Sequence, residues 1–351
     1  MKRPTFWGLV GVGVVGTAVG AVLGAARVIA RADRRRSTPD FEAGEDGLEI
    51  PPDARHHTVL IPDGARIHVV EYGPQDARPI LLLHGVTLTS RIWAHQLADF
   101  ADKYRVLALD WRGHGASTVG RDGFGLEVLA SDLRAVITHL GLTDSVLVGH
   151  SMGGMALMRF CADSEFLRDH VAKVVFTSTA ASGVGGHGGG RFAHLASALA
   201  KWSPGLAERF AAPPSGDLGY VFNRFTFGVA PDAPSVERVR EITDAMVPSA
   251  AGPSILALLD HDERKTLQQL DLPVLVFVGT NDRLTPEGQG RDIADLAPGA
   301  QLVVFEGGGH MLMIERRERF NTELATFVDG SFVEASFVEA RGLEASSVGA
   351  P

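Results

Sequence analysis

Short apolar runs alternate with segments of helical periodicity through most of the chain. The runs are four to seven residues long and predict strands, whereas apolar residues spaced three and four apart predict helices. The predicted strands are His57–Ile61, Arg66–Tyr72, Pro79–Leu83, Arg105–Leu109, Ser145–Val148, Val171–Thr177, Pro273–Gly279 and Gln301–Phe305. The predicted helices are Trp93–Lys103, Leu126–Leu140, Met152–Ala162, Glu287–Leu296 and Met313–Val328.

Strand and helix patterns alternate in the manner of βαβ units, which form parallel sheets. The alternation stops from Ala180 to Asp271, where 92 residues contain no convincing strand, and resumes afterwards. We therefore predict an α/β fold: a mostly parallel, doubly wound sheet over residues 57–179 and 272–329. The interval 180–271 is expected to be a helical insertion, which begins with the glycine-rich run Ser182–Gly190.

The N-terminal region has a different pattern. Thr5–Ala26 contains 22 residues without a charge, enough for a helix of about 33 Å across a hydrocarbon core of about 30 Å. We interpret residues 1–36 as a single-pass membrane anchor with a basic flank. The positive-inside rule then places the body on the cytoplasmic side of the cell membrane. A cleaved signal peptide and a soluble glycine-rich helix are the alternatives.

The segments next to the apolar run carry weaker signals. Gly16, Gly20 and Gly24 recur every fourth residue, a stripe that would let two such helices associate. Residues 37–56 are acidic and broken by proline, so we expect a linker there. Residues 330–351 contain the repeat SFVEA, too short to bury a core, and are expected to be a disordered tail.

Composition excludes several classes of function. The formal net charge of −9 argues against a general nucleic-acid-binding protein. Cys161 is the one cysteine, which excludes an internal disulfide framework and a cysteine-rich metal site. We expect neither a metal nor an organic cofactor.

One motif points directly to chemistry. Gly149-His150-Ser151-Met152-Gly153 follows a predicted strand and opens a predicted helix, the context of a nucleophile elbow. In such an elbow a strained turn projects the serine hydroxyl from the sheet. Side chains two residues before and after it would collide with backbone, so both positions are glycine. The alternative is an ordinary strand-to-helix turn.

A serine nucleophile needs a base and a group that orients the base. Asp282 follows the strand at Pro273–Gly279, and His310 follows the strand at Gln301–Phe305. Both lie where parallel strands end, which is the edge at which α/β sheets place their sites. The order serine, aspartate, histidine is that expected after a nucleophile elbow. We predict Ser151, His310 and Asp282 as a catalytic triad.

The reaction also needs donors for a developing oxyanion. The backbone N–H of Met152 should be one donor, at the start of the helix after the serine. The N–H of Val86, in the loop after Pro79–Leu83, should be the other. The alternative is that His84 and Gly85, which precede Val86, form only a tight turn. The two interpretations are compatible, because the turn is what presents the amide.

These motifs together resemble those of the α/β-hydrolase fold family, in its serine esterase- and lipase-like branch. They are HG at 84–85, DWRGHGAS at 110–117, GHSMGG at 149–154, GTND at 279–282 and GGGHM at 307–311. The resemblance implies an eight-stranded sheet, and a cap over the active site formed by residues 180–271. It also implies that Asp110 and Arg112 hold loops. Cofactor-free haloperoxidase-like members share GHSMGG.

The leading hypothesis is a membrane-anchored enzyme that cleaves lipid-like or small acyl esters through an acyl-enzyme. Thioester cleavage and peracid formation are alternatives on the same residues, and a non-catalytic anchored binding protein is the alternative from another class. Aromatic and leucine side chains of the insertion would either line an acyl pocket or form the core of the cap. They are Phe192, Leu195, Trp202, Phe210, Tyr220, Phe222, Phe225 and Phe227.

Overall fold

The computed structural model describes residues 24–35, 47–183, 215–245, 254, 258 and 261–330, and one eight-stranded sheet forms its centre. The strand order is β1-β2-β4-β3-β5-β6-β7-β8. Strand β2 pairs antiparallel with β1 and β4, and all other neighbours are parallel. The strands are β1 Arg55–Leu60, β2 Arg66–Tyr72, β3 Pro79–Leu83, β4 Arg105–Leu109, β5 Ser145–His150, β6 Val171–Thr177, β7 Val274–Gly279 and β8 Gln301–Phe305.

Helices flank the sheet on both faces. We number them along the chain from α1, which covers residues 24–34. The others are α2 Ala94–Phe100, α3 Leu126–His139, α4 Met152–Phe160, α5 Ser164–His170, α6 Gly216–Thr226, α7 Ala233–Asp244, α8 Arg264–Gln268, α9 Glu287–Leu296, α10 Leu312–Glu315 and α11 Arg317–Val328. The predicted α/β class and the mostly parallel eight-stranded sheet are confirmed.

The apolar strands explain why the sheet is covered on both sides. Successive side chains of a strand point to opposite faces. In β3, Leu81 and Leu83 accordingly join one core cluster, with residues of α3, α4 and α9. Ile80 and Leu82 join the other, with residues of α2 and α11. A strand buried on both faces needs a continuous apolar run, which is the pattern found in the sequence.

The interval between β6 and β7 is described in part. Helices α6 and α7 lie within it, and their residues Tyr220, Val236 and Val239 are buried in the same cluster as Ile80. The rest of the predicted cap, mainly residues 184–214 and 246–260, lies outside the described residues. The predicted tail lies outside them too, apart from Gly330.

The N-terminal prediction needs correction. Of the helices in the described ranges, none has the length and apolar character needed to cross a bilayer, which contradicts the prediction of a single-pass membrane protein with its body on the cytoplasmic side. The start of the predicted span, with Gly16 and Gly20, lies outside the described residues. The part of it that can be seen, residues 24–26, belongs to α1.

Helix α1 lies against α6 and α7. Ala30 is fully buried there. The hydroxyl of Tyr220 donates to Asp33 at 3.0 Å, and Arg34 pairs with Asp217 at 2.8 Å and Glu237 at 3.2 Å. The basic flank, predicted to follow a membrane span, is thus partly neutralised by acidic side chains of the protein. Count and spacing of charges along the sequence cannot reveal such partners, because they lie far away in the chain.

The predicted linker also has ordered contacts. Leu48 is buried in the core cluster on the α2 face, and its carbonyl accepts a hydrogen bond from Arg91 Nε at 3.1 Å. Strand β1 begins at Arg55, two residues before the predicted start of the core. The chain therefore contacts the body well before the first predicted strand.

Candidate active site

Ser151 lies in the turn between β5 and α4. Its backbone has φ 52° and ψ −119°, a conformation that L-residues adopt only at a cost of about 1–3 kcal/mol. A Cβ on Gly149 would lie 2.6 Å from the Cα of Gly154, and a Cβ on Gly153 would lie 2.7 Å from the carbonyl oxygen of His84. The glycines are therefore required by the close approach of backbone, as the elbow motif predicts.

Asp282 and His310 lie directly after β7 and β8. Nδ1 of His310 donates to Oδ2 of Asp282 at 2.8 Å, and both side chains are buried. The backbone amides of Leu284 and Thr285 donate to Oδ1 of Asp282, each at 2.9 Å. Burial alone would raise the pKa of the Asp282 carboxyl, but His310 and the hydrogen bonds from Thr285 lower it below its ordinary value. The carboxylate is thus ionised and fixed in orientation.

His150 connects the elbow to the His310 loop. Its Nε2 donates to the backbone carbonyl of His310 at 2.9 Å, and the two imidazole rings lie 4.7 Å apart between centroids. Complete burial lowers the pKa of His150 well below its ordinary value, so the ring is neutral. Because Ser151 follows His150, the predicted nucleophile and the predicted base lie at the same edge of the sheet.

The loop after β3 reaches the elbow from the other side. A Cβ on Gly85 would lie 3.0 Å from Cβ of Ser151, so the backbone of this loop is in contact with the serine. The amides of Val86 and Met152 have no acceptor among the described residues. Met152 occupies the first position of α4, where an N–H group has no partner within the helix. Met152 thus follows Ser151, Val86 follows the glycine that contacts Ser151, and neither amide has an acceptor in the part of the chain that the structure describes.

Buried polar groups hold these loops. Nε2 of His84 accepts from the amide of Trp111 at 3.0 Å, and burial lowers the pKa of His84 to about 3. Asp110 accepts from the amide of Ser90 at 2.7 Å and from that of Ala116 at 3.0 Å. These bonds support the neighbouring loops without reaching the site, as the resemblance implied for Asp110.

Arg112 has a similar supporting role on the same side. Its guanidinium donates to both carboxylate oxygens of Asp132 at 2.6 Å and to Asp63 at 2.9 Å. All three side chains are buried, and the two carboxylates surround the cation. The loop that begins with the DWRG motif is therefore fixed by charge-assisted hydrogen bonds.

Two further residues support the pair of His310 and Asp282, one by direct contact and one through the neighbouring backbone, and the motifs did not reveal them. The hydroxyl of Thr285 donates to Oδ2 of Asp282 at 2.8 Å. Glu315 accepts hydrogen bonds from the backbone amides of Gly309 and Met311, one on each side of His310. The sequence offered only weak signals: a threonine three residues after the aspartate, and a single acid in the apolar run HMLMIE.

No group of three or more histidine, cysteine, aspartate or glutamate side chains within the described ranges is arranged to hold a metal ion. Cys161, the only sulfur nucleophile, is buried in the core.

Comparison with known families identifies the class. A family model described as alpha/beta hydrolase fold matches residues 78–317, about two thirds of the chain. The chain belongs to the α/β-hydrolase fold family. The fold with its eight-stranded sheet is shared with an esterase from Exiguobacterium antarcticum, at 24% identity and a TM-score of 0.70 over 79% of this chain and 100% of that one.

Particular relatives can be named as well. The chain is 31% identical to a non-heme chloroperoxidase of Streptomyces lividans, over 77% of this chain and 99% of the relative. It is also 31% identical to a bifunctional esterase/perhydrolase of Acinetobacter calcoaceticus, over 77% and 98%. The crystal structure of an esterase from Rhodococcus sp. ECU1013 is 28% identical, with a TM-score of 0.64 over 79% and 98%. The protein is a hydrolase-fold enzyme similar to esterases and perhydrolases.

Proposed function

We propose that this protein hydrolyses carboxylic esters through an acyl-enzyme on Ser151. The observation that carries the proposal is the hydrogen bond between His310 and Asp282, which lies at the same sheet edge as a strained serine elbow. Each residue alone has many possible roles. Acyl transfer requires a nucleophile, a base with its orienting acid, and donors for the oxyanion. The proposal assigns these roles to the serine with positive φ, to the buried histidine–aspartate pair, and to two amides that have no acceptor among the described residues.

The proposed reaction begins with attack of Ser151 Oγ on the ester carbonyl carbon. His310 Nε2 accepts the hydroxyl proton as the C–O bond forms, and the amides of Val86 and Met152 donate to the resulting oxyanion. Collapse of the tetrahedral intermediate breaks the bond to the alcohol, which leaves with the proton from His310. Water then attacks the acyl group with His310 as base again, which releases the acid and restores Ser151.

Asp282 would set the tautomer of the base. Because Nδ1 of His310 donates to Asp282, its Nε2 carries the lone pair that must accept the serine proton. The ionised carboxylate also stabilises the imidazolium that forms during each proton transfer. A neutral amide at this position would not provide that charge.

Peracid formation is a second candidate, favoured by the similarity to a chloroperoxidase and to a bifunctional esterase/perhydrolase. In this reaction hydrogen peroxide replaces water as the nucleophile that attacks the acyl-enzyme. The acyl–Ser151 bond breaks, the peroxide oxygen bonds to the acyl carbon, and His310 transfers the peroxide proton to the serine. Acylation is common to both reactions, so the fate of the acyl-enzyme distinguishes them.

The exposed aromatic side chains of α6 support a proposal for the substrate class. Phe222 and Phe225 on α6 are 45% and 51% exposed, whereas Tyr220 and Phe227 are buried. Thr226, in the same helix, accepts a hydrogen bond from the amide of His310 at 2.7 Å, so this helix end adjoins the site. The exposed aromatic rings would favour esters with an apolar acyl or alcohol group. Tyr220 and Phe227 belong instead to the core.

A fluorophosphonate probe tests the nucleophile. We expect the wild-type protein to be labelled and to hydrolyse p-nitrophenyl acetate, and Ser151→Ala to lose both activities by several orders of magnitude. Ser145→Ala is the matched control, because Ser145 is buried at the opposite end of the same strand. Labelling that persists in Ser151→Ala would contradict the proposal. Adding hydrogen peroxide and measuring peracid against acid then tests the second candidate.

A further inference from the structure

Glu315 is a buried carboxylate with an unusual set of partners. It lies at the end of α10 and is 1% exposed. Oε2 accepts from the amides of Gly228 at 2.8 Å and Gly309 at 3.0 Å, and Oε1 accepts from that of Met311 at 3.0 Å. All three are backbone donors, so the acceptor-only, ionised form of the carboxylate fits this environment.

No basic side chain of the described residues forms an ion pair with Glu315. Burial raises the pKa of Glu315 above its ordinary value, and the three amide donors and the charge of Arg316 oppose that shift. A buried carboxylate without an ion pair is costly unless hydrogen bonds compensate for its lost solvation. Its position is therefore hard to explain as a stabilising ion pair, and its contacts point to a role in fixing the backbone around His310.

The segment 226–229 begins at the last residue of α6. It is hydrogen-bonded to Gly307 and to His310 in the loop after β8. The amide of His310 donates to the carbonyl of Thr226 at 2.7 Å, and the amide of Val229 donates to that of Gly307 at 3.0 Å. A Cβ on Gly228 would lie 2.6 Å from the amide nitrogen of Gly309, so the two backbones are in direct contact. The amide of Gly228, between these two bonds, donates to Glu315.

We propose that Glu315 is a positioning residue for His310, and that it makes the placement of the imidazole depend on the 226–229 segment. The carboxylate holds the chain on both sides of His310 and binds the amide of Gly228 with the same oxygen that binds Gly309. Displacement of the segment would therefore release part of the support for the His310 loop. The inference rests on the proposed function, because His310 is the general base there.

The test compares Glu315→Gln and Glu315→Ala with the wild-type protein. We expect kcat for p-nitrophenyl acetate to fall by about 10-fold in the first and about 100-fold in the second, with KM changed by less than about 3-fold. Gln has the size of Glu and keeps one oxygen acceptor, whereas Ala keeps none. Glu263→Gln is the matched control, since Glu263 is also 1% exposed and contacts Arg159 at the far end of α4.

A second readout does not depend on turnover. The proton on His310 Nδ1, hydrogen-bonded to Asp282, should give a low-field NMR resonance in the resting wild-type protein. It should be absent in His310→Ala, shifted or broadened in the Glu315 variants, and unchanged in Glu263→Gln. If Glu315 only stabilises the fold, its substitution should lower the melting temperature but leave this resonance and kcat unchanged in the folded fraction. That result would overturn the proposal.

Gly228→Ala tests the dependence on the 226–229 segment with Glu315 unchanged. The added Cβ should push the segment away from Gly309, and kcat should fall by about 10-fold. In the double variant Gly228→Ala/Glu315→Gln the two losses should not multiply, because both act through one contact. Multiplying losses would refute the coupling. If the wild-type protein neither hydrolyses esters nor reacts with the fluorophosphonate, the proposed function is wrong. The NMR resonance still tests whether Glu315 positions His310.

Discussion

Ser151 and His310 lie at the same edge of the sheet, but different parts of the molecule position them. The serine is held by sterics of its own turn, where Gly149 and Gly153 admit neighbouring backbone and positive φ aims the side chain. The histidine is held by hydrogen bonds that it donates, from Nδ1 to Asp282 and from its backbone amide to the carbonyl of Thr226 in the 226–229 segment of the insertion. The residues that restrict the elbow belong to the motif itself, although one collision partner is the loop after β3, whereas the histidine loop depends on polar partners outside its own motif.

This difference suggests which half of the site tolerates change. Adding one carbon atom to the elbow should disrupt it, since no rearrangement of side chains can relieve a backbone collision. The histidine loop should respond in steps, according to which of its hydrogen bonds is lost.

Of the substitutions around His310, Asp282→Asn should have the largest effect. We expect kcat to fall by about 10³–10⁴-fold, because the amide neither holds the required tautomer nor stabilises the imidazolium. The loss should be smaller than that of Ser151→Ala, which removes the nucleophile itself. Steady-state kinetics on p-nitrophenyl acetate measures both, and full activity in Asp282→Asn would show that another carboxylate serves His310.

Gly153→Ala should damage the elbow and leave the histidine half intact. We expect kcat to fall by about 100-fold and the free energy of unfolding by about 1–3 kcal/mol, because the new Cβ meets the backbone carbonyl oxygens of Leu83 and His84. The low-field proton of His310 should persist. Gly288→Ala is the control: no atom lies within 4 Å of its added Cβ in helix α9, so it should stabilise the protein by about 0.5–1 kcal/mol.

Thr285→Val should have a moderate effect. It removes the hydroxyl that donates to Asp282, so the carboxylate loses one of its donors and kcat should fall about 10-fold. Thr285→Ser restores the hydroxyl and should recover most of the activity. Equal activity in Thr285→Val and the wild-type protein would mean that the two backbone amides suffice to orient Asp282.

The pH dependence of stability should show the smallest effect. The pKa of Asp282 is lowered in the folded protein, so its ionised form stabilises the fold at pH values above the pKa of an unfolded aspartate. That contribution is lost as the pH falls through the folded-state pKa. Urea unfolding between pH 3 and pH 6 measures the free energy of unfolding. The difference in this free energy between the wild-type protein and Asp282→Asn should therefore be smaller at the acidic end. A constant difference would contradict this assignment.

The same contrast explains what could be predicted from the sequence. The elbow was predicted correctly in its geometry, because a backbone collision restricts the residues at Gly149 and Gly153 themselves. The meeting of Asp282 and His310 followed from the rule that parallel strands end at one edge. Glu315 could not be predicted, since its partners are backbone amides, which every residue has, and one of them belongs to Gly228, 87 residues away.

The membrane prediction was wrong for a related reason. Hydropathy and charge along residues 1–36 describe the segment in isolation. They contain nothing about Asp217 and Glu237, the partners of Arg34, or about the apolar contacts that bury Ala30. The contacts of Ala30 and Arg34 are tertiary, so the hydropathy and charge of residues 1–36 cannot predict them.

The docking of α1 has a consequence for the order of biosynthesis. Arg34 is separated from Asp217 by 183 residues and from Glu237 by 203. At about 5–20 residues per second, a ribosome needs about 10–40 s to synthesise the partners after the helix itself. During that interval the buried face of α1 has no surface to cover it, and chaperones have access to it. Protease protection of α1 in stalled nascent chains should therefore begin only once α7 has left the ribosome; protection in shorter chains would show that α1 docks elsewhere first.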